Sequence, residues 1–88
     1  MNTHEILAQR GKTHGDFTYN SQAAQALKDV MQSHQNWETL SSVQKEAVHM
    51  ICHKLGRIAA GNPNIADHWD DIAGYATLVS ERLNDDLV

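Results

Sequence analysis

An all-α fold is what this sequence predicts, and three observations predict it. Ala47, Ile51, Leu55 and Ile58 recur at intervals of 4, 4 and 3. Ile65, Trp69, Ile72, Ala76, Val79 and Leu83 recur at 4, 3, 4, 3 and 4. Both series have the period of a helix face and not the alternation of a half-buried strand. Ser41 followed by Gln44 matches a capping box, a local signal for a helix start. No stretch reads as a β-hairpin, an internal repeat or a low-complexity tract.

In chain order, Asn2 or Thr3 is suited to cap a short helix through about Arg10, with Gly11 as its stop. "GKTHGDFTYN" then reads as a loop punctuated by Gly11 and Gly15. Asn20 or Ser21 is expected to open the next helix, "SQAAQALKDVMQSH", with Ala23, Ala26 or Leu27, and Val30 or Met31 on its apolar face. "QNWETLSS" is a connector in which Trp37 and Leu40 pin the turn to the core. The capping box at Ser41 opens a helix to Ala60, with Gly61 as a left-handed stop and Pro63 just beyond. Asn64 or Asp67 opens the last helix, and "NDDLV" is expected to fray. The last two helices, joined by a short loop, form an antiparallel hairpin.

The 88 residues are expected to form one all-α domain, residues 1–88, three main helices plus a short N-terminal one. A domain this small buries at most about two-thirds of its surface, so a homo-oligomer is expected. The chain is 41% hydrophobic and 20% charged, ordinary for a soluble protein. A net charge of -4 with a pI near 5.8 excludes the broad basic surface that general nucleic-acid binding needs. The one cysteine, Cys52, excludes an intrachain disulfide and a cysteine-rich zinc module. With no long apolar segment at the start or elsewhere, a cytoplasmic protein with no membrane partner is expected.

"HKLGRIAAGNPNIADHWDDIAGYATL" carries most of the polar chemistry. On its first helix Glu46, His49, His53 and Arg57 share one side, with Lys54 on the adjacent flank. On its second, Asp67, Asp71, Gly74 and Tyr75 form a comparable strip. Facing strips would bring imidazoles and carboxylates together. Glu46, His49, His53, Asp67 and Asp71 are then the metal candidates, for Mg²⁺ first and Zn²⁺ second. "HMICH" lacks the glutamate of the zinc-protease motif, and two histidines four apart are more often simply hydrogen-bonded. Lys54 and Arg57 either pair with Asp67 or Asp71 or bind phosphate, for which the arginine fork is the better match. Arg10, Lys12 and His14 around the glycine loop add to such a patch. Gly74 interrupts a helix at a cost of about 1 kcal/mol, which points to a close approach there. Tyr75 is placed to stack on a base, and Trp69, on the apolar stripe, is expected in the core more than in a pocket wall.

"RGKTHGDF", "WETLSSVQKEAVHMICHKLGRI" and "DHWDDIAGYATL" together resemble a family of small phage and prophage proteins. The shared pattern is R-G-x-x-x-G-D/x-F, a central K-x-x-R-I and a late D-x-W-x-D-I-A-G-Y-A. These in turn look distantly like the all-α nucleoside triphosphate pyrophosphohydrolases of the MazG type, which hold Mg²⁺ between an E-x-x-E and an E-x-x-D pair. The resemblance implies Glu46 and His49 at the first pair, with Asp67, Asp70 and Asp71 supplying the later helix. That acid set is short for two or three Mg²⁺ ions.

Three functions follow as expectations. The first is a phage-type accessory protein that binds a nucleotide-like, phosphate-bearing small molecule through Arg10, Lys12, Lys54, Arg57, Asp67, Asp71 and Tyr75. By analogy of class and size it would sequester a host immune signal. The second is a Mg²⁺-dependent nucleotide pyrophosphohydrolase, and the third an inhibitor or adaptor acting on a host protein.

Overall fold

A computed structural model describes residues 2–86 of the chain. The order is α1 (Thr3–His14), α2 (Phe17–Gln32), a 3-10 turn (Gln35–Thr39), α3 (Ser42–Ala60) and α4 (Ala66–Asp86), with no strand among the described residues. The all-α class is as the periodicity predicts. No helix among the described residues is long and apolar enough to cross a membrane.

Side chains set most helix starts. The Asn2 carboxamide accepts the Glu5 N–H at 2.9 Å and opens α1. At α3 the capping box is complete: the Ser41 hydroxyl accepts from Gln44 N at 3.1 Å, and Gln44 Oε1 accepts from Ser41 N at 2.9 Å. Each such cap is worth about 1 kcal/mol.

The first half of the chain departs from its sequence reading. Gly11 does not stop α1, which runs on to His14, and the helix ends at Gly15 with φ 80. Nor do Asn20 or Ser21 open the next helix. Asp16 does, accepting the Thr18 N–H at 2.9 Å. The segment read as a loop is therefore an elbow of two residues between two helices. Glycine immediately followed by aspartate, a C-cap followed by an N-cap, is the local signal that marks it.

α3 is the centre of the fold, packed against α1, α2 and α4. Its approach to α2 is close because both surfaces are small there. A Cβ on Gly56 would lie 2.5 Å from the Asn20 carbonyl oxygen and 3.2 Å from Ala24 Cβ. Ala24, Ala47 and Cys52 are buried at the same level, and Trp37 closes the end of the core from the 3-10 turn, as expected. Trp37 stacks on His49 with ring centroids 5.4 Å apart.

Gly61 ends α3 with φ -123, so it is not the left-handed stop that was expected. Its lack of a side chain serves proximity instead, since a Cβ there would run into the backbone of His14 and Gly15. Asn62 N donates to Thr13 O at 3.1 Å and ties the α3–α4 turn to the end of α1. α4 begins at Ala66 and includes Asn84, Asp85 and Asp86 of the segment expected to fray; Leu87 and Val88 lie outside the described residues.

The buried face of α4 is turned by one residue from the expected stripe. Ile65, His68, Ile72, Tyr75 and Val79 are the buried or half-buried positions, whereas Trp69, Ala76 and Leu83 are exposed. Both series share Ile65, Ile72 and Val79, so spacing alone does not separate them. Trp69 is therefore not core: it is 52% exposed, and its indole N–H donates to Pro63 O at 2.7 Å. His68 takes the core place beside it, 2% exposed.

Candidate functional site

The elbow, the end of α3 and the start of α4 meet at one corner. The buried His68 Nε2 donates to Thr13 O at 2.9 Å, and its ring meets that of His14 edge-on at 5.2 Å. A carbonyl only accepts, so Nε2 carries the proton. Asn20, buried on α2, donates from Nδ2 to His14 O at 3.1 Å. Two polar side chains from different helices thus hold the C-terminal carbonyls of α1, which the helix itself leaves without partners.

Beside this corner lies a cleft of 470 Å³ between α1, the first turn of α2 and the last turns of α3. Its volume is within the usual range for small-ligand sites. Arg10 and His14 line it from α1, Phe17 from α2, and His53 and Arg57 from α3, with Leu7 at the rim. Phe17, one of the lining residues, is 76% exposed. Arg57 Nη2 lies 3.2 Å from His53 Nε2. Arginine only donates, so Nε2 accepts, and the contact requires neutral His53 with its proton on Nδ1. Asp16 is the one acid of the lining, and its carboxylate caps α2. Lys54–Asp71 is the single ion pair among the described residues, so neither Arg10 nor Arg57 is in direct contact with a carboxylate there.

The imidazoles register that positive surplus. Burial first, then Arg57, His68, Lys54 and Arg10, hold His14 below its ordinary value of 6.5. Burial, then Arg57, Lys54 and Lys28, do the same to His53. A histidine that titrates lower folded than unfolded favours the fold when neutral. Its contribution is complete above about pH 6.5 and is lost as pH falls through the folded value. Urea denaturation between about pH 8 and about pH 5 is therefore expected to show stability falling on the acid side. Replacing both His14 and His53 by glutamine is expected to flatten that fall.

The strips of the α3–α4 hairpin do not meet as expected. Lys54, 8% exposed, reaches Asp71 with its ammonium 2.9 Å from the carboxylate. The hydrogen bond and charge of Lys54 hold Asp71 below the usual carboxylate range. This is the structural pairing, one of the two roles weighed for Lys54. His53 and Arg57 turn the other way, into the cleft. His49 faces α2, stacked on Trp37 with Nε2 3.3 Å from Gln32 Nε2. Glu46 lines an apolar groove with Tyr75, and Asp67 is exposed in the first turn of α4. Glu46, His49 and His53 share a side of α3 but stand at successive levels along it with different neighbours, and Asp67 and Asp71 belong to α4. No group of three His, Cys, Asp or Glu among the described residues is placed to hold a metal ion.

Of the ligand residues read from sequence, the cleft unites Arg10 and Arg57. Lys12 is exposed on α1 and does not line it, and Lys54, Asp67, Asp71 and Tyr75 lie elsewhere. Gly74 meets no close approach within the chain, with nothing within 4 Å of a Cβ built there. The tight glycines are Gly15, Gly56 and Gly61; sequence reasoning passed over Gly56, as it did the roles of Phe17, Asn20 and His68. His68 and Thr13 are 55 residues apart, and no local pattern announces such a contact.

A family model described as a domain of unknown function (DUF6378) matches residues 2–83. None of the curated proteins and none of the solved structures matches the chain.

Proposed function

The chain belongs to the DUF6378 family of domains of unknown function, and from that premise we propose that it binds a nucleotide-like, phosphate-bearing small molecule in the α1–α2–α3 cleft. One observation carries this reading: Arg10 and Arg57 line one cleft with no salt bridge to either among the described residues, beside an exposed phenylalanine. Planar guanidinium forks match phosphate oxygens two at a time, and the His53 contact fixes the orientation of one fork. Phe17 supplies a face on which a base can stack.

The role is sequestration, as in a phage-type accessory protein that withdraws a host nucleotide signal. The ligand would be held and released unchanged. The Mg²⁺-dependent hydrolase reading finds less support, because the carboxylates it requires are apart from one another and from the cleft.

Calorimetry with inorganic phosphate and a panel of nucleoside mono-, di- and cyclic phosphates tests the proposal. Binding of a nucleotide at one site per chain is expected, with the nucleotide recovered intact. No binding across the panel would sink the reading, and recovered hydrolysis products would replace it by the enzymatic one. Phe17→Ala is expected to weaken binding by about 1–3 kcal/mol, the usual worth of base stacking on an aromatic ring. Because Phe17 is 76% exposed, thermal melting of that variant should stay close to wild type.

A further inference from the structure

At the other end of α3, away from the cleft, its first turns and the second half of α4 leave an apolar groove uncovered. Val43, Ala47, Leu78 and Val79 line it, and Leu83 continues it past the helix end. Val43 is 44% exposed, Leu78 47% and Leu83 49%. Glu46 stands in the same groove as Arg82, and the two do not pair with each other. Arg82 spends one guanidinium N–H on Leu78 O in its own helix.

The surface of the chain as a whole is large enough to leave a partner's share. It exposes 6284 Å², whereas a compact monomer of this mass exposes about 5,200 Å². The excess, about 1,100 Å², is comparable with the roughly 800 Å² that each partner contributes to a stable interface. The radius of gyration says the same, at 15.0 Å against about 12 Å for a compact chain of this length. An apolar strip flanked by one acid and one base is also self-complementary. A two-fold axis through it brings acid to base twice.

We propose that the groove between the start of α3 and the end of α4 is the interface with a second copy of this chain. The copies pack about a two-fold axis that sets Glu46 of each against Arg82 of the other. The apolar strip supplies the affinity, and the two symmetry-related ion pairs fix the register. The interface lies about 15–21 Å along α3 from Arg57, so each copy keeps its own cleft open to solvent.

Sedimentation equilibrium of the full chain is expected to give twice the 9.8 kDa monomer mass. Leu78→Asp places two charges in the apolar strip and should raise the dimer dissociation constant about 100-fold or more. Its circular dichroism should remain helical, because Leu78 is half exposed in the monomer. Glu46→Arg and Arg82→Glu alone should each weaken the dimer about tenfold, since each substitution acts twice. Combined in one chain, they restore both pairs with reversed sign and should recover most of the loss. A wild-type monomer at every concentration overturns the proposal. So does a Leu78→Asp chain that stays dimeric, or a double reversal that recovers nothing. Nucleotide binding by the Leu78→Asp monomer separates the two readings: it is expected to persist, whichever way association goes.

Discussion

Gly15→Ala is expected to destabilise the protein by about 3 kcal/mol or more. Gly15 has φ 80 and ψ -179, a conformation that essentially only glycine adopts. A Cβ there would also drive into the carbonyl of Ala60 and the Cα of Gly61, which are backbone and cannot rotate away. The same atoms form the seam where α1, the α3–α4 turn and His68 join, so relief of the clash at one contact loosens the others. A chain of 88 residues has about 4–13 kcal/mol of stability in all. The variant should therefore melt about 12–25 °C lower, or fail to fold at the lower end of that range. Gly11→Ala is the contrasting measurement. Gly11 is inside α1 with nothing within 4 Å of its Cβ, so alanine there should stabilise by up to about 1 kcal/mol. Thermal or urea melts of the two variants should move in opposite directions. If Gly11→Ala proves the damaging one, the helix ends where the sequence alone would have placed it.

Arg57→Ala should weaken ligand binding more than any other single truncation in the cleft. Its guanidinium is oriented by His53, lines the cleft and forms no salt bridge among the described residues. Loss of a charge-assisted hydrogen bond costs about 1.5–3 kcal/mol, or about 10- to 150-fold in dissociation constant. Arg57→Lys keeps the charge without the fork and should fall between wild type and alanine. Lys54→Gln makes the comparison informative, because Lys54, on the adjacent flank of α3, is committed to Asp71 and does not line the cleft. It should leave calorimetric affinity within about twofold of wild type. A greater loss from Lys54→Gln than from Arg57→Ala would move the site to the hairpin and refute the cleft.

Much of the fold was legible because its signals are local. Ser41 and Gln44 satisfy each other's backbone across three residues, and the capping box is where the sequence places it. Trp37 was readable as an anchor, an aromatic in a short polar connector that has no other reason to be there. Two cations of the site, Arg10 and Arg57, were legible as residues free to meet a phosphate. Their conjunction was not, because it depends on α1 continuing past Gly11 and turning back only at Gly15. Once that elbow is misplaced, Phe17 becomes a loop residue and the cleft has no wall.

The sequence by itself determined the helical class, the capping of α3, the antiparallel return of α4 and the short supply of carboxylates. These follow from periodicity and from hydrogen bonds a few residues long. Only the tertiary structure decided which side of each helix is buried. On α4 the two candidate stripes share Ile65, Ile72 and Val79, and the choice between Trp69 and His68 fell to a carbonyl 55 residues away. His68 goes inside because Thr13 O gives its N–H a partner, and Trp69 stays outside with its own N–H satisfied by Pro63. The same packing committed Lys54 to Asp71 and turned Arg57 toward Arg10. A helix fixes which residues share a face, but the direction that face takes is settled by whatever packs against it.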